Sequence, residues 1–163
     1  MDAMNKKDSV KMGLGFGVTS GTITTLGLMI GLHSIIESKI VLIGGVLTIA
    51  IADALADSLG IHVAKEAINK YTKREVWEAT FVTFFTKFFI ALSFIVPILF
   101  FSLDMAVLIN VFWGMFLLGT FSYLIAKEQN ANPWRIVGEH ILIAVCVVIA
   151  THYVQQFIKR IFC

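Results

Sequence analysis

A chain of 163 residues in which 58% are hydrophobic, only 15% are charged and the mean hydropathy is strongly positive lies outside the range of soluble domains. A soluble fold of that length cannot enclose so much apolar surface, which predicts an integral membrane protein of the all-α class. A net charge of +2 argues against a nucleic-acid partner, and Cys146 and Cys163, with no CxxC and no metal-type spacing, argue against a zinc or dithiol motif.

Five transmembrane helices are predicted, at about 13–32, 40–64, 79–101, 105–126 and 135–158, and together they form one domain over 1–163. Lys6, Lys7 and Lys11 precede the first apolar run as they would in a secretory leader. That run lasts about 20 residues with no clear small-residue cleavage site, so it is read as a span. It is rich in glycine and hydroxyls. Gly13, Gly17 and Gly21 recur every four residues, as do Gly27 and Gly31, leaving flat strips for close helix contact, either within the chain or with a second copy.

The second span carries Asp53 and Asp57 inside an otherwise apolar run. Four residues apart, they share one helix face at about 40° to each other. An aspartate at the centre of a span is estimated to cost about 2.5 to 3.5 kcal/mol on insertion scales, so each must face a partner, a cation or water. From 65 to 78 the charges Lys65, Glu66, Lys70, Lys73, Arg74, Glu75 and Glu78 interleave with Ile68, Tyr71, Val76 and Trp77, predicting helix that continues out of the membrane and then an amphipathic interfacial segment. The third span is dense in phenylalanine and contains Lys87 and Pro97. A tight Ser102-Leu103-Asp104 turn leads to the fourth, and Asn132-Pro133 caps the start of the fifth.

Loop charges predict the orientation. With the N-terminus cytoplasmic, the inner side holds Lys6, Lys7, Lys11, Lys65, Lys70, Lys73, Arg74, Lys127 and Arg135, against Lys39, Lys159 and Arg160 outside. Nine against three obeys the positive-inside rule, and an odd number of spans puts the C-terminus outside, in a multi-pass protein of the cell membrane. At about 1.5 Å per residue, Asp57 lies roughly 10 Å and Asp53 roughly 16 Å from the inner end of their helix, with Lys87 roughly 12 Å into the third span from the same side. Lys87 can therefore meet Asp57 as a structural ion pair. One lysine is not expected to neutralise both acids, and the surplus negative charge is what a cation would balance.

Carboxylates beside hydroxyls suit hard or borderline divalent ions, and imidazole widens the choice to manganese, iron or zinc. The candidate metal ligands are Asp53, Asp57, Ser20, Thr24, His62 and Glu66. His62 lies about 140° round the helix from Asp57, so it cannot join both aspartates. It shares a face with Ser58 and Glu66, where it forms either a first contact for an arriving ion or a solvated interfacial pair. Met29 is a soft ligand by type and a packing residue by default.

The run Gly17-Val18-Thr19-Ser20-Gly21-Thr22-Ile23-Thr24-Thr25-Leu26-Gly27-Leu28 resembles the opening helix of the vacuolar iron transporter family. Ala52-Asp53-Ala54-Leu55-Ala56-Asp57-Ser58-Leu59-Gly60-Ile61-His62-Val63 resembles the signature of its second helix. The resemblance covers nearly the whole chain through loose motifs. It implies a homodimer of five-helix protomers, an ion path between first and second helices at the dimer interface, and export of Fe2+ or Mn2+ from the cytosol in exchange for protons. The metal is then cargo, not a permanently bound cofactor. Ser20 stands where the family usually has aspartate, Asp57 where it has methionine and Ile61 where many members have glutamate. The cytoplasmic metal-binding insertion is reduced to about a dozen residues, with Glu66, Glu75 and Glu78 as remnants.

The expected mechanism gathers four carboxylates from two protomers beside Ser20, Thr22 and Thr24, and crowded like charges favour protons in the site when the metal leaves. Two other classes compete. The DxxxD pair is similar to that of membrane phosphotransferases acting on CDP-linked lipids, but nothing upstream of Asp53 supplies their Asp-Gly-x-x-Ala-Arg, so no enzyme is expected. A non-transporting membrane assembly subunit would use the aspartates only to hold Lys87.

Overall fold

The computed structural model describes residues 6–162, with side chains from Ser9 onward; the side chains of Lys6 and Lys7, which enter the charge count, lie outside the described residues. The described chain is all-helical: α1 (Lys6–His33), α2 (Lys39–Ile68), α3 (Lys73–Ser93), α4 (Ile95–Phe100), α5 (Leu103–Glu128) and α6 (Pro133–Phe162). Five helical segments, α3 and α4 counting as one, are long and apolar enough to cross a membrane, as a multi-pass membrane protein requires. At about 1.5 Å per residue, the 30 residues of α2 reach roughly 45 Å, more than the roughly 30 Å of a hydrocarbon core.

The connections follow from local chemistry. In the stretch 65–78 the second helix continues as expected, but the amphipathic remainder is no separate segment and joins the start of α3. α2 runs on to Ile68, and Asn69, at φ 52, closes it in the left-handed region with its N–H on the Glu66 carbonyl at 3.0 Å. Asparagine tolerates that conformation better than most side chains. Thr72 then starts α3 with a capping box, its hydroxyl accepting from the Glu75 N–H while the Glu75 carboxylate accepts from the Thr72 N–H at 2.7 Å. The backbone N–H of Thr72 first, and then its hydroxyl, which donates to Glu75 Oε2 at 2.8 Å, hold the Glu75 carboxyl below the usual glutamate range. Asn132 Oδ1 likewise accepts from the Trp134 N–H at 3.1 Å, with Pro133 opening α6 as expected.

The third span is broken. Pro97 has no N–H and its ring would strike the carbonyl four residues back, so α3 ends at Ser93 and α4 begins at Ile95. Phe94 lies between them with its N–H turned to the Ala91 carbonyl. Its own carbonyl accepts from Asn110 Nδ2 at 2.9 Å, so a fully buried asparagine of α5 satisfies the backbone at the break.

α1 is the central helix, packed most closely on α3 and also touching α2, α5 and α6. Its glycines make this possible. A Cβ at Gly17 would lie 2.8 Å from Thr86 Cβ, and one at Gly27 would lie 3.1 Å from Val147 Cγ1. The glycine strips that left both intramolecular and dimer packing open are therefore occupied within the chain, Gly13, Gly17 and Gly21 by α3 and Gly27 and Gly31 by α6. α5 turns a stripe with a four-residue repeat inward, Ala106, Asn110, Gly114, Leu118, Ser122 and Ala126, all buried. The apolar core, with Leu26, Met29, Leu42, Val46, Phe94 and Ile98, fills the end of the bundle around the α3–α4 break.

Candidate functional site

Three helices meet at one cluster. α2 supplies Asp53 and Asp57, α1 supplies Ser20 and α3 supplies Lys87. Asp53 lies at the midpoint of α2, roughly 21 Å by helical rise from Lys39 at one end. The close seating of α1 on α3 brings Lys87 in: a Cβ at Gly21 would already lie 3.1 Å from Lys87 Cγ, so any larger residue would push the lysine stem away.

Lys87 Nζ touches Asp57 Oδ2, lies 2.5 Å from Asp53 Oδ2 and donates to Ser20 Oγ at 2.9 Å. Ser20 Oγ–H in turn donates to Asp57 Oδ2 at 2.6 Å. An ammonium has three hydrogens to give, and here three oxygens surround it. Lys87 meets Asp53 as well as the expected Asp57: both Oδ2 atoms, one helical turn apart, turn to the same point, and Lys87 enters between them. The contact to Asp53 is ionic at a distance where charge dominates, but its angles miss hydrogen-bond geometry, leaving Asp53 Oδ2 buried without a hydrogen bond. Two carboxylates and one ammonium leave a formal charge of −1.

Exposure is uneven across the cluster. The Lys87 side chain is 2% exposed, whereas those of Asp53 and Asp57 are 29% and 24% exposed. Asp53 opens toward a groove between α1 and α2 lined also by Leu28, Leu32, Gly45, Thr48 and Ile49. Polar groups thus meet an apolar groove midway along a membrane-length helix, where burial without a counter-charge is costly.

The other candidate ligands lie elsewhere. Thr24 donates to the backbone carbonyl of Ser20 at 2.9 Å and lines a neighbouring groove with Ile23, Gly27 and Leu28. Thr22 is fully buried beside Gly114 of α5, away from the acids. His62 and Glu66 form a separate pair nearer the end of α2, with His62 Nδ1 at 3.0 Å from Thr80 Oγ1 and Nε2 at 3.6 Å from Glu66 Oε1. Thr80 spends its only hydrogen on the Val76 carbonyl at 2.8 Å, so its oxygen accepts from His62 Nδ1–H. In the neutral ring that leaves the Nε2 lone pair facing a carboxylate. Trp77 packs edge-on against the ring at 4.7 Å. Among the described residues no three His, Cys, Asp or Glu side chains converge on one point.

Two further groups were not singled out from the sequence. Lys65, counted there as a loop charge, is buried, donating to Ser9 Oγ at 2.8 Å and lying 4.4 Å over the Tyr71 ring. It ties the start of α1 to the end of α2 and the turn after it. Asn110 also bonds Met29 Sδ at 3.7 Å, which makes Met29 a packing neighbour of the α3–α4 break. His33 pairs with Asp104 at 3.1 Å and His152 with Ser34 at 2.9 Å, both at the end of the bundle opposite Lys65.

No protein family, no curated protein and no solved structure matches this chain.

Proposed function

We propose that the protein carries a divalent metal ion, Fe2+ or Mn2+, across the membrane, with Asp53, Asp57 and Ser20 as the intramembrane ligands. The observation that supports this most is the oxygen cage. Asp53 Oδ2, Asp57 Oδ2 and Ser20 Oγ all lie within 2.9 Å of one positively charged atom at the middle of the bundle. Carboxylate and hydroxyl oxygens in that arrangement suit manganese and related ions. The formal charge of −1 that remains with Lys87 in place favours a cation of higher charge.

In this reading the protein is a divergent, short relative of the vacuolar iron transporters, with its N-terminus in the cytosol. The bundle gathers Lys11, Lys65, Lys73, Arg74, Lys127 and Arg135 at the end where α1 starts, and Lys39, Lys159 and Arg160 at the other, which agrees with that orientation. A homodimer is part of the reading. Gly44, Thr48, Ala52, Ala56 and Gly60 form an exposed stripe of small residues on α2, next to the acids, and a Cβ at Gly44 or Gly60 would meet nothing within 4 Å. A second α2 against that stripe covers both aspartates and brings four carboxylates together. Metal leaves outward in exchange for protons taken up by the same carboxylates.

Flux of Mn2+ into vesicles containing reconstituted protein tests this. Asp53→Asn and Asp57→Asn should each abolish flux while eluting as the wild type does in size exclusion. Equal flux in both variants removes the mechanism. A second reading rests on the same contact: since Lys87 engages both acids, the cluster can serve assembly alone, in a membrane subunit that transports nothing. Mn2+ should then leave the thermal stability of the purified protein unchanged.

A further inference from the structure

We infer that Lys87 is a tethered cation that occupies the oxygen cage until a divalent ion displaces it, and that it thereby excludes monovalent ions. This rests on the cation-site reading above and adds to it the means of selection. Lys87 is the one member of the cluster contributed by α3; the ligands come from α1 and α2. Its ammonium can therefore leave without disturbing them. Its charge lies against Asp53 and Asp57 as that of a bound sodium or potassium ion would, and it also donates to Asp57 and Ser20. An incoming monovalent ion gains no more attraction from two carboxylates than the resident ammonium does, and it must first be dehydrated. A divalent ion doubles the attraction at the same distance.

The displaced ammonium has a place to go. Thr83 lies one turn back on α3, fully buried, and its Oγ1 has no hydrogen-bond partner. Helical side chains lean toward the N-terminus of their helix, which is the direction of Thr83 from Lys87. Lys87 thus moves from three oxygens to one hydroxyl, one helical turn from the carboxylates. A divalent ion then takes the two carboxylates and Ser20 from the α1–α2 side, where Asp53 lines the groove.

The test uses the full chain in detergent, with thermal stability followed against Mn2+ in choline buffer and again with Na+ in place of choline. Wild type should be stabilised by Mn2+ at a midpoint that Na+ does not change. Lys87→Met should respond to Mn2+ at a midpoint at least tenfold lower, and Na+ should now raise that midpoint. A Lys87→Met protein that folds only when Mn2+ is present also supports the inference. An unchanged midpoint, or indifference of Lys87→Met to Na+, overturns it. Thr83→Val, nearly isosteric, should raise the Mn2+ midpoint severalfold in a protein of otherwise wild-type stability. If Lys87→Met does not fold under any condition, an unchanged midpoint in Thr83→Val overturns the inference by itself. Absence of any Mn2+ response in wild type and Lys87→Met alike defeats the cation-site reading, whereas equal responses in both leave that reading standing and remove only the competition.

Discussion

Substituting Gly17 by alanine should separate α1 from α3 and loosen the site, although the residue touches neither aspartate. The added Cβ would lie 2.8 Å from Thr86 Cβ, 3.0 Å from Thr86 Cγ2 and 3.1 Å from the Thr83 carbonyl. Carbon atoms in contact sit at about 3.5 to 4.0 Å. Two of the three neighbours are a branched side chain fixed at χ1, and the third is backbone, so the helices must part by roughly half an ångström or more. Overpacking of this kind costs about 1 to 3 kcal/mol, offset by about 1 kcal/mol from the better helix propensity of alanine. The net expectation is a loss of about 0 to 2 kcal/mol, with Ser20, three residues on, drawn away from Lys87. Gly60→Ala is the control, since its Cβ would meet nothing within 4 Å. It should be neutral or slightly stabilising in the monomer. Thermal unfolding in detergent measures both. A Gly17→Ala protein more stable than Gly60→Ala would refute the packing of α1 on α3 described here.

Other expectations are more local. Asn110→Ala removes a buried side-chain hydrogen bond to the Phe94 carbonyl at the helix break, and should cost about 0.5 to 1.5 kcal/mol by denaturant unfolding. Thr72→Ala removes the side-chain cap of α3 and should cost about 1 kcal/mol, seen as faster hydrogen exchange in its first turn. Glu75 has its carboxyl held below the ordinary value of 4.5, so its contribution is complete above that pH and is lost as pH falls through the lower folded value. Exchange in the first turn of α3 should accelerate over that acidic interval in wild type, and less so in Thr72→Ala.

Much of the fold was legible because membrane spans announce themselves by length and hydropathy, and because Asn132-Pro133 is a local signal with a local cause. The Lys65–Glu78 stretch was less so. Its charges suggested helix leaving the membrane and then a segment lying on it, whereas after the left-handed turn at Asn69 the Thr72–Glu75 box, readable in principle, gives the second part to α3. The break at Phe94 follows from Pro97, but the sequence does not say that Asn110, sixteen residues on, will bond the Phe94 carbonyl. The site was half legible. Spacing put Asp53 and Asp57 on one face and placed Lys87 at their depth. That the lysine would reach both acids depends on how closely α1 and α3 approach, which is tertiary. A clue was present: Ala79, Thr83, Lys87 and Ala91 recur every four residues among bulky phenylalanines, a small inward face on which the lysine sits. Thr24 was grouped with Ser20 by sequence proximity, yet its hydroxyl turns back to its own helix, as threonine often does.

Equilibrium binding of Mn2+ to the purified protein, followed by loss of the free-ion paramagnetic resonance signal, tests the cation site most directly. Wild type should bind Mn2+ at a site that disappears in Asp53→Asn/Asp57→Asn while the helical content of the protein is unchanged. Binding that survives the loss of both carboxylates, or no binding by the wild type, would contradict it.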